Sequence, residues 1–319
     1  MQKLTIAIPT FERSAGLEAV LLSIFYELDK ISFNEKKNIS IVISDNTITE
    51  ENFKKNVELV NKIKKKYVKV SYYKNTYNVG ATMNVLKCME YADNGWVWII
   101  GDDDLILPNS LSHILKLITD YPLLGSISFC SCVDFNDAPQ KIESLPDKVI
   151  CENVTEFLST VEFNNAGFLP SNLFNCKYYS DYSDKIYEWQ VTKYPHLVYT
   201  LLCLDAGIKS LVTNLVVVAS KPPTWNRDEV DSRLFLFKHL PYRNINSAIF
   251  TEKFIYKRAP NFRTKLSFYY RKLDLQSVNS RANFVSIFKY ISARPGVEFY
   301  FFSALKNIYN IITGRNKSL

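Results

Sequence analysis

Three consecutive carboxylates, Asp102, Asp103 and Asp104, follow the run Trp96-Val97-Trp98-Ile99-Ile100-Gly101. Carboxylates this close repel one another unless positive charge sits among them. A hard divalent cation, Mg2+ or Mn2+, takes oxygen ligands and keeps coordination positions for substrate phosphates. The triplet therefore predicts a metal-diphosphate site. A turn or a helix N-cap also favours Asp; one Asp satisfies either, and neither needs three. The bulky apolar run ahead of the triplet reads as a central strand covered on both faces. In an open α/β sheet, ligands bind beyond the carboxyl ends of such strands.

The rest of the first 125 residues supplies elements to hold that rim. Leu4 to Ile8 is a predicted strand ending in Pro9-Thr10, and Leu17, Val20, Leu21, Ile24, Phe25 and Leu28 recur at helical spacing after a Ser14 N-cap. Ile39 to Ser44 is a strand closing on Asp45-Asn46, and a helix follows from Thr49 to Lys65. Val68 to Tyr73 is a third strand, followed by Asn75 to Gly80 and a helix through Met83, Leu86 and Met89. Pro108 opens a further helix to Tyr121. Strands alternating with helices predict a doubly wound, mostly parallel sheet with helices on both faces. That topology gathers Pro9, Thr10 and Arg13, Asp45, Asn78 to Gly80, and Asp102 to Asp104 on one rim. Further on, Ser126 to Phe135 reads as a strand and 136 to 150 as a polar loop. A short helix covers Val154 to Val161. A strongly apolar helix runs from His196 to Ala206, opened by Pro195 and closed by Gly207, and a strand spans Ile208 to Ala219.

Composition excludes several classes. Nearly half of the 319 residues are apolar, which excludes disorder. The six cysteines have no paired metal spacing and lie mostly within apolar runs, as small buried side chains do. No apolar run reaches the length of a membrane span, and the charged start runs straight into a strand rather than a secretory leader, so the expected compartment is the cytoplasm. Charge is uneven. From Leu234 onward there are fifteen Lys and Arg against three acids, which leaves the preceding residues net negative. A basic tail implies an anionic partner. No nucleic-acid motif accompanies the charge, and no nucleic-acid partner is expected.

Taken together, Ile6-Ala7-Ile8-Pro9-Thr10-Phe11-Glu12-Arg13, Ile43-Ser44-Asp45-Asn46, Asn78-Val79-Gly80 and Gly101-Asp102-Asp103-Asp104 resemble the successive motifs of family 2 glycosyltransferases. Within that family they are most similar to the abequosyltransferase-like branch that builds bacterial surface polysaccharides. The resemblance is strong to about residue 125 and fades towards 230. It implies a GT-A fold, a nucleotide-diphosphate sugar donor, Mn2+ or Mg2+, and inversion at the anomeric carbon. By position, Pro9, Thr10 and Arg13 would line the nucleotide site, and Asp45 would hydrogen-bond the base or ribose. Asn78 and Gly80 would shape the floor; glycine lets a backbone approach a ligand closely. Asp102 and Asp104 would hold the metal, with Asp103 facing the sugar or ribose. Strand termination at Pro9-Thr10 and a left-handed turn at Asn78-Gly80 are the structural alternatives. The implied organisation is a catalytic domain over 1–230, split into a nucleotide-sugar half (1–125) and an acceptor half (126–230), followed by a helical, basic C-terminal region over 231–319.

The chain departs from the family at the base. Members carry a Glu-Asp pair before a late helix, and no such pair stands near 180 to 200. Tyr194-Pro195-His196 occupies the matching place. Imidazole titrates near neutrality, so His196 is the candidate base and Glu188 its rival, with Asp181 and Asp184 behind; a histidine packed at a helix start is the alternative. Lys221 to Arg227 reads as a mobile loop from which Trp225 covers the site and Asn226 or Arg227 reaches the phosphates, or else as a Pro-rich surface connection. Ser171 and Asn172 offer hydroxyl and amide groups to an acceptor sugar. Phe301, Phe302, Leu305, Ile308, Tyr309 and Ile312 form an amphipathic helical pattern, suited to an anionic membrane face, where it would bring a lipid-linked glycan acceptor to the enzyme, or to packing on the chain itself. The expected activity is transfer of a single sugar; no Gln-x-x-Arg-Trp segment of the processive members is present. Two rival activities bear on the same residues. A nucleotidylyltransferase would need a Gly-rich basic loop after the first strand. A non-catalytic nucleotide- or glycan-binding module would fit the missing Glu-Asp pair.

Overall fold

The computed structural model describes residues 2–64, 69–92, 95–133, 135–136, 138–161, 163–220, 237 and 240–258. Residues Met1–Phe254 form one compact unit. Its centre is a nine-stranded mixed sheet in the order β3-β2-β1-β4-β8-β6-β9-β5, with β7 paired on β9. The strands are β1 (Leu4–Thr10), β2 (Ile39–Asp45), β3 (Val70–Lys74), β4 (Trp96–Ile99), β5 (Asp104–Ile106), β6 (Ser126–Cys132), β7 (Lys148–Cys151), β8 (Asn172–Asn175) and β9 (Ser210–Ser220). The helices are α1 (Ser14–Lys30), α2 (Phe33–Lys36), α3 (Glu50–Lys64), α4 (Ala81–Glu90), α5 (Ser110–Asp120), α6 (Val154–Thr160), α7 (Phe163–Gly167), α8 (Tyr179–Glu188), α9 (Pro195–Asp205) and α10 (Ile245–Arg258).

The parallel half follows the expected pattern. β1 pairs in parallel with β2 and β4, and β2 with β3. Strand alternation divides the core. Ile6, Ile8, Ile41, Ile43, Trp96 and Trp98 pack with Leu17, Val20, Leu21 and Ile24 of α1 and Leu111, Ile114 and Ile118 of α5. α4 packs on β1, β2 and β4 and buries Leu86, Cys88 and Met89, so helices cover both faces. α9 is buried along nearly its whole length because α4, α6 and α8 surround it; a helix apolar all round must be enclosed. It ends as expected at Gly207, which takes φ +84° while Ile208 N–H donates to Cys203 O at 2.9 Å.

The other half is mixed. β8 runs antiparallel to β4 and β6, and β5 and β7 run antiparallel to β9. β5 and β7 escaped sequence reading because both are short and lie in stretches whose polar residues suggest turns. Ser14 does not cap α1. Its hydroxyl bonds to Asn52 instead, and Arg13 holds the capping position. α5 begins at Ser110 rather than Pro108, after Asn109 in a left-handed conformation (φ +67°). Past residue 230, Phe237 packs on Tyr194 and Asn244 N–H donates to Asp205. Among the described residues, no helix is long and apolar enough to cross a membrane.

Candidate active site at the carboxyl rim

The parallel register brings the strand ends level: Thr10 pairs with Asp45, and Asp45 with Lys74. β4 ends one strand over, and Ile100 N–H donates to Ala7 O. Thr10, Arg13, Asp45, Asn78, Gly80 and the acid triplet therefore share one rim. On the far side Asp104 opens β5 opposite Ser220, the last residue of β9.

The three acids differ sharply. Asp102 is buried, and its carboxylate accepts from Thr10 Oγ1 (2.7 Å), Phe11 N–H (3.3 Å) and Arg13 Nη1 (3.2 Å). Burial raises its pKa from the ordinary aspartate value, against the pull of Thr10 and of the Arg13 charge. Asp103 is half exposed and accepts from the same Nη1 at 2.6 Å. Asp104 is buried, with Oδ2 accepting Gly101 N–H at 3.1 Å. Burial, then the Asp103 charge, pushes its pKa up to about 8. A Cβ on Gly101 would lie 2.6 Å from Asp104 Oδ2 and 2.8 Å from Asp103 Oδ1. These two carboxylates therefore converge over the glycine, while Asp102 is turned inward onto Thr10. Among the described residues, no three His, Cys, Asp or Glu side chains form a ready metal cage. Two converging oxygens with a raised carboxyl are a partial cage, of the kind a hard cation shares with phosphate oxygens.

Glu12 anchors the rim loop. Its backbone takes φ +56°, uncommon for a residue with a side chain. Its carboxylate accepts from Ile48 N–H (2.7 Å), Thr49 N–H (2.8 Å), the Thr49 hydroxyl and Asn52 Nδ2 (2.8 Å), at the start of α3. Burial opposes its charge, but these bonds prevail and hold the pKa at about 2. α1 is pressed against the triplet: a Cβ on Gly16 would stand 2.2 Å from Asp102 O.

Asp45 is fully buried. Its oxygens accept from Thr47 N–H (2.6 Å), Asn56 Nδ2 (3.0 Å) and the Tyr72 hydroxyl. From this buried position it shapes the β2 turn. Asn78 Oδ1 accepts Gly80 N–H at 2.8 Å, and Gly80 turns into α4 at φ +84°, so this segment is a left-handed turn as well as a rim floor. Sequence reading missed the residue beneath. Buried Asn84 accepts from Ser44 Oγ (2.7 Å) and Asn75 Nδ2 (3.0 Å) and donates to Ser44 O (3.0 Å) and Thr10 O (3.3 Å). An amide on the core face of an apolar helix is the one signal that would have exposed it.

The two base candidates sit on different elements, Glu188 at the end of α8 and His196 at the start of α9. Tyr187 donates its hydroxyl to Glu90, where α4 ends ahead of β4. Glu188, its neighbour, is the last residue of α8. His196 is at the rim end, since α9 runs down to β9, whose start pairs with the start of β6. It is only 4% exposed, packed by Phe174 and Tyr194, with Nε2 3.1 Å from Gly167 O. Burial, against the pull of the Gly167 and Ala166 carbonyls, lowers its pKa to about 4, so the ring is neutral and committed to the backbone before β8. Ser171 is buried, and among the described residues its hydroxyl has no hydrogen-bond partner; the Asn172 amide donates to Asn165 O, Ala166 O and Phe168 O. Trp225, Asn226 and Arg227 lie outside the described residues.

Known proteins match this architecture. The family model described as Glycosyl transferase family 2 matches residues 5–174. Over 120 residues the chain is 32% identical to the abequosyltransferase RfbV of Salmonella typhimurium (strain LT2); the match covers 37% of this chain and about a third (32%) of that relative. Among solved structures, S. aureus TarS 1–349 aligns with a TM-score of 0.60 at 12% identity, covering 88% of this chain and 77% of that one. The same protein in complex with UDP gives 0.59 at 12% identity with the same coverage. The mannosyltransferase PcManGT from Pyrobaculum calidifontis, in complex with GDP-Man and Mn2+, gives 0.50 at 14% identity, covering 97% and 88%. At these identities the structural likeness shows the GT-A fold, and the family match covers more than half of the chain. The chain belongs to glycosyl transferase family 2.

Proposed function

We propose that this chain is an inverting glycosyltransferase that moves one sugar from a nucleoside-diphosphate donor to a hydroxyl of a bacterial surface glycan carried on a lipid. The observation that carries the reading is the meeting of Thr10, Arg13 and the acid triplet beyond the carboxyl ends of β1 and β4. Relatives and neighbours support the substrate class. One is named an abequosyltransferase, and others are complexed with UDP, UDP-GlcNAc or GDP-Man.

Asp103 and Asp104 are the residues that would hold Mn2+ or Mg2+, since their oxygens converge over Gly101 and Asp102 is already satisfied. When bound, such an ion supplies charge neutralisation to the leaving diphosphate. The chain's own groups do the rest. Arg13 offers a half-exposed guanidinium to a phosphate. Thr10 and Asp102 fix the β1 turn. Asn84 ties that turn to β2 and β3, so the floor does not yield as a donor binds. Ser220 pairs with Asp104; Trp225, Asn226 and Arg227, which lie outside the described residues, would close over the phosphates. On the acceptor side, His196 pins Gly167 and thereby the segment that leads to Ser171 and Asn172. In this reading His196 positions that segment rather than acting as the base. The basic C-terminal residues would hold the enzyme at the cytoplasmic membrane face, near a lipid-linked acceptor.

The test is a thermal-shift panel of UDP, GDP, CDP and dTDP, each with and without Mn2+. A ligand at about 100 times its Kd adds roughly 2.7 kcal/mol to the folded state. One nucleotide is expected to raise Tm strongly and to need the metal for the full effect. Absence of any shift across the panel overturns the donor-site reading.

A further inference from the structure

Arg13 holds an unusual position for a phosphate-binding residue. A single nitrogen, Nη1, donates to Asp102 Oδ1 at 3.2 Å and to Asp103 Oδ2 at 2.6 Å. Asp103 is the one acid of the triplet that opens to solvent; its side chain is 49% exposed, against buried Asp102 and Asp104. The carboxylate an incoming cation would reach first is thus already paired with a cation of the protein. The backbone of Arg13 is held, because Arg13 O accepts Leu17 N–H in the first turn of α1 and Glu12 clamps the preceding residue to α3. Its side chain is 47% exposed and is the part of this corner free to swing.

We propose that Arg13 gates the metal: in the empty site it occupies Asp103, and a nucleoside diphosphate draws it away and so admits the cation. This rests on the donor site proposed above. A divalent ion at Asp103 Oδ1 and Asp104 would sit beside a guanidinium on the same carboxylate, and like charges at that range repel. A planar guanidinium matches a phosphate's oxygens with two parallel bonds, whereas here it meets two carboxylates through one nitrogen. Phosphate is therefore the better partner. Once Arg13 moves to it, Asp103 gains an unshared oxygen pair and the repulsion is gone. Metal and nucleotide must then favour each other's binding. By linkage the same factor appears whichever binds first. The metal alone should bind weakly, which keeps the site from filling without a donor.

The experiment titrates Mn2+ into the full chain, following free Mn2+ by electron paramagnetic resonance, first alone and then with saturating UDP or GDP. Wild type is compared with Arg13→Gln and Arg13→Lys, each checked for folding by circular dichroism. Arg13→Gln is expected to bind Mn2+ alone about tenfold more tightly than wild type. Nucleotide should improve Mn2+ affinity in both proteins, because the cation shares phosphate oxygens, but by about tenfold more in wild type than in Arg13→Gln, within the usual range of coupling between sites. Arg13→Lys, which keeps a charge on a point donor, should fall between and carries the test if Arg13→Gln does not fold. Equal or weaker Mn2+ binding by the variants, with nucleotide still bound, overturns the gate and leaves the donor site standing. If wild type binds neither Mn2+ nor nucleotide, both fall together.

Discussion

Asn84→Ala is the most informative single change beneath the rim. The side chain makes four hydrogen bonds, to Ser44 Oγ, Asn75 Nδ2, Ser44 O and Thr10 O. After truncation Asn75 Nδ2 keeps Asn46 Oδ1 at 2.7 Å, and Thr10 O keeps Asn46 N–H at 2.9 Å. The Ser44 hydroxyl, fully buried, loses its acceptor. Each net bond is worth about 0.5–1.5 kcal/mol, and a stranded buried group costs about 1–3 kcal/mol. Since two of the four partners stay satisfied, the expected loss is about 3 kcal/mol. Thr10 is also the donor to Asp102, so release of its carbonyl loosens the acid corner. Nucleotide affinity should fall about tenfold, equivalent to about 1.4 kcal/mol. Urea unfolding followed by the fluorescence of the buried Trp96 and Trp98 reads the first quantity as a drop in midpoint at constant slope; calorimetric titration reads the second. A destabilisation below about 1 kcal/mol with affinity unchanged within twofold would refute the view that this amide holds the strand ends together.

Three further changes probe neighbouring parts. Gly101→Ala should weaken Mn2+ binding at least tenfold, because the added methyl would meet Asp104 Oδ2 at 2.6 Å and Asp103 Oδ1 at 2.8 Å; unchanged Mn2+ affinity in the presence of nucleotide would place the ion elsewhere. In wild type, His196 has a folded pKa of about 4 against an ordinary 6.5, so the unfolded chain takes up a proton that the folded one refuses. Its stabilisation is whole above pH 6.5 and declines by about 3 kcal/mol as pH falls to 4; His196→Gln should flatten that slope in a pH series of urea midpoints. Glu12, held at about 2, stabilises the loop above pH 4.5 and loses its contribution as pH falls towards 2, by about 1 kcal/mol once solvent screening is allowed for. Glu12→Gln should therefore cost stability at pH 7 and almost nothing at pH 2.

The parallel half was legible because one rule governs it. A strand buried on both faces must be continuously apolar, and its end must be marked by whatever the rim requires, so Ile6-Ala7-Ile8-Pro9-Thr10 and Trp96 to Asp104 announce both position and use. Roles within the rim were less legible, because they depend on which way a short side chain turns. Asp102, Asp103 and Asp104 are identical in type, and only the hydroxyl of Thr10, ninety-two positions away, decides that the first faces inward. Asp45 shows the same limit, since Tyr72 and Asn56 both donate to its Oδ2 from elements that the local sequence does not announce. The mixed half lost legibility for a different reason. β5 is three residues long and exists because β9 lies beside it, so its strand character is a property of the pair.

His196 joins these two limits. Its place before α9 is readable, and the topology does bring it to the rim end. A base, however, needs an imidazole that can reach a hydroxyl, whereas this ring lies under Gly167 and is neutral because it is dry. The same burial that keeps the ring unprotonated at pH 7 removes it from the acceptor's reach, so neutrality alone does not make it a base. What it can do from there is fix the backbone leading into Ser171 and Asn172. If so, His196→Gln, which keeps a donor for Gly167 O, should retain most of the turnover, whereas His196→Ala should raise the acceptor KM more than it lowers kcat. Loss of kcat by several orders of magnitude in both variants, with folding intact, would return the ring to the chemistry and require the Gly167 segment to open when the acceptor binds.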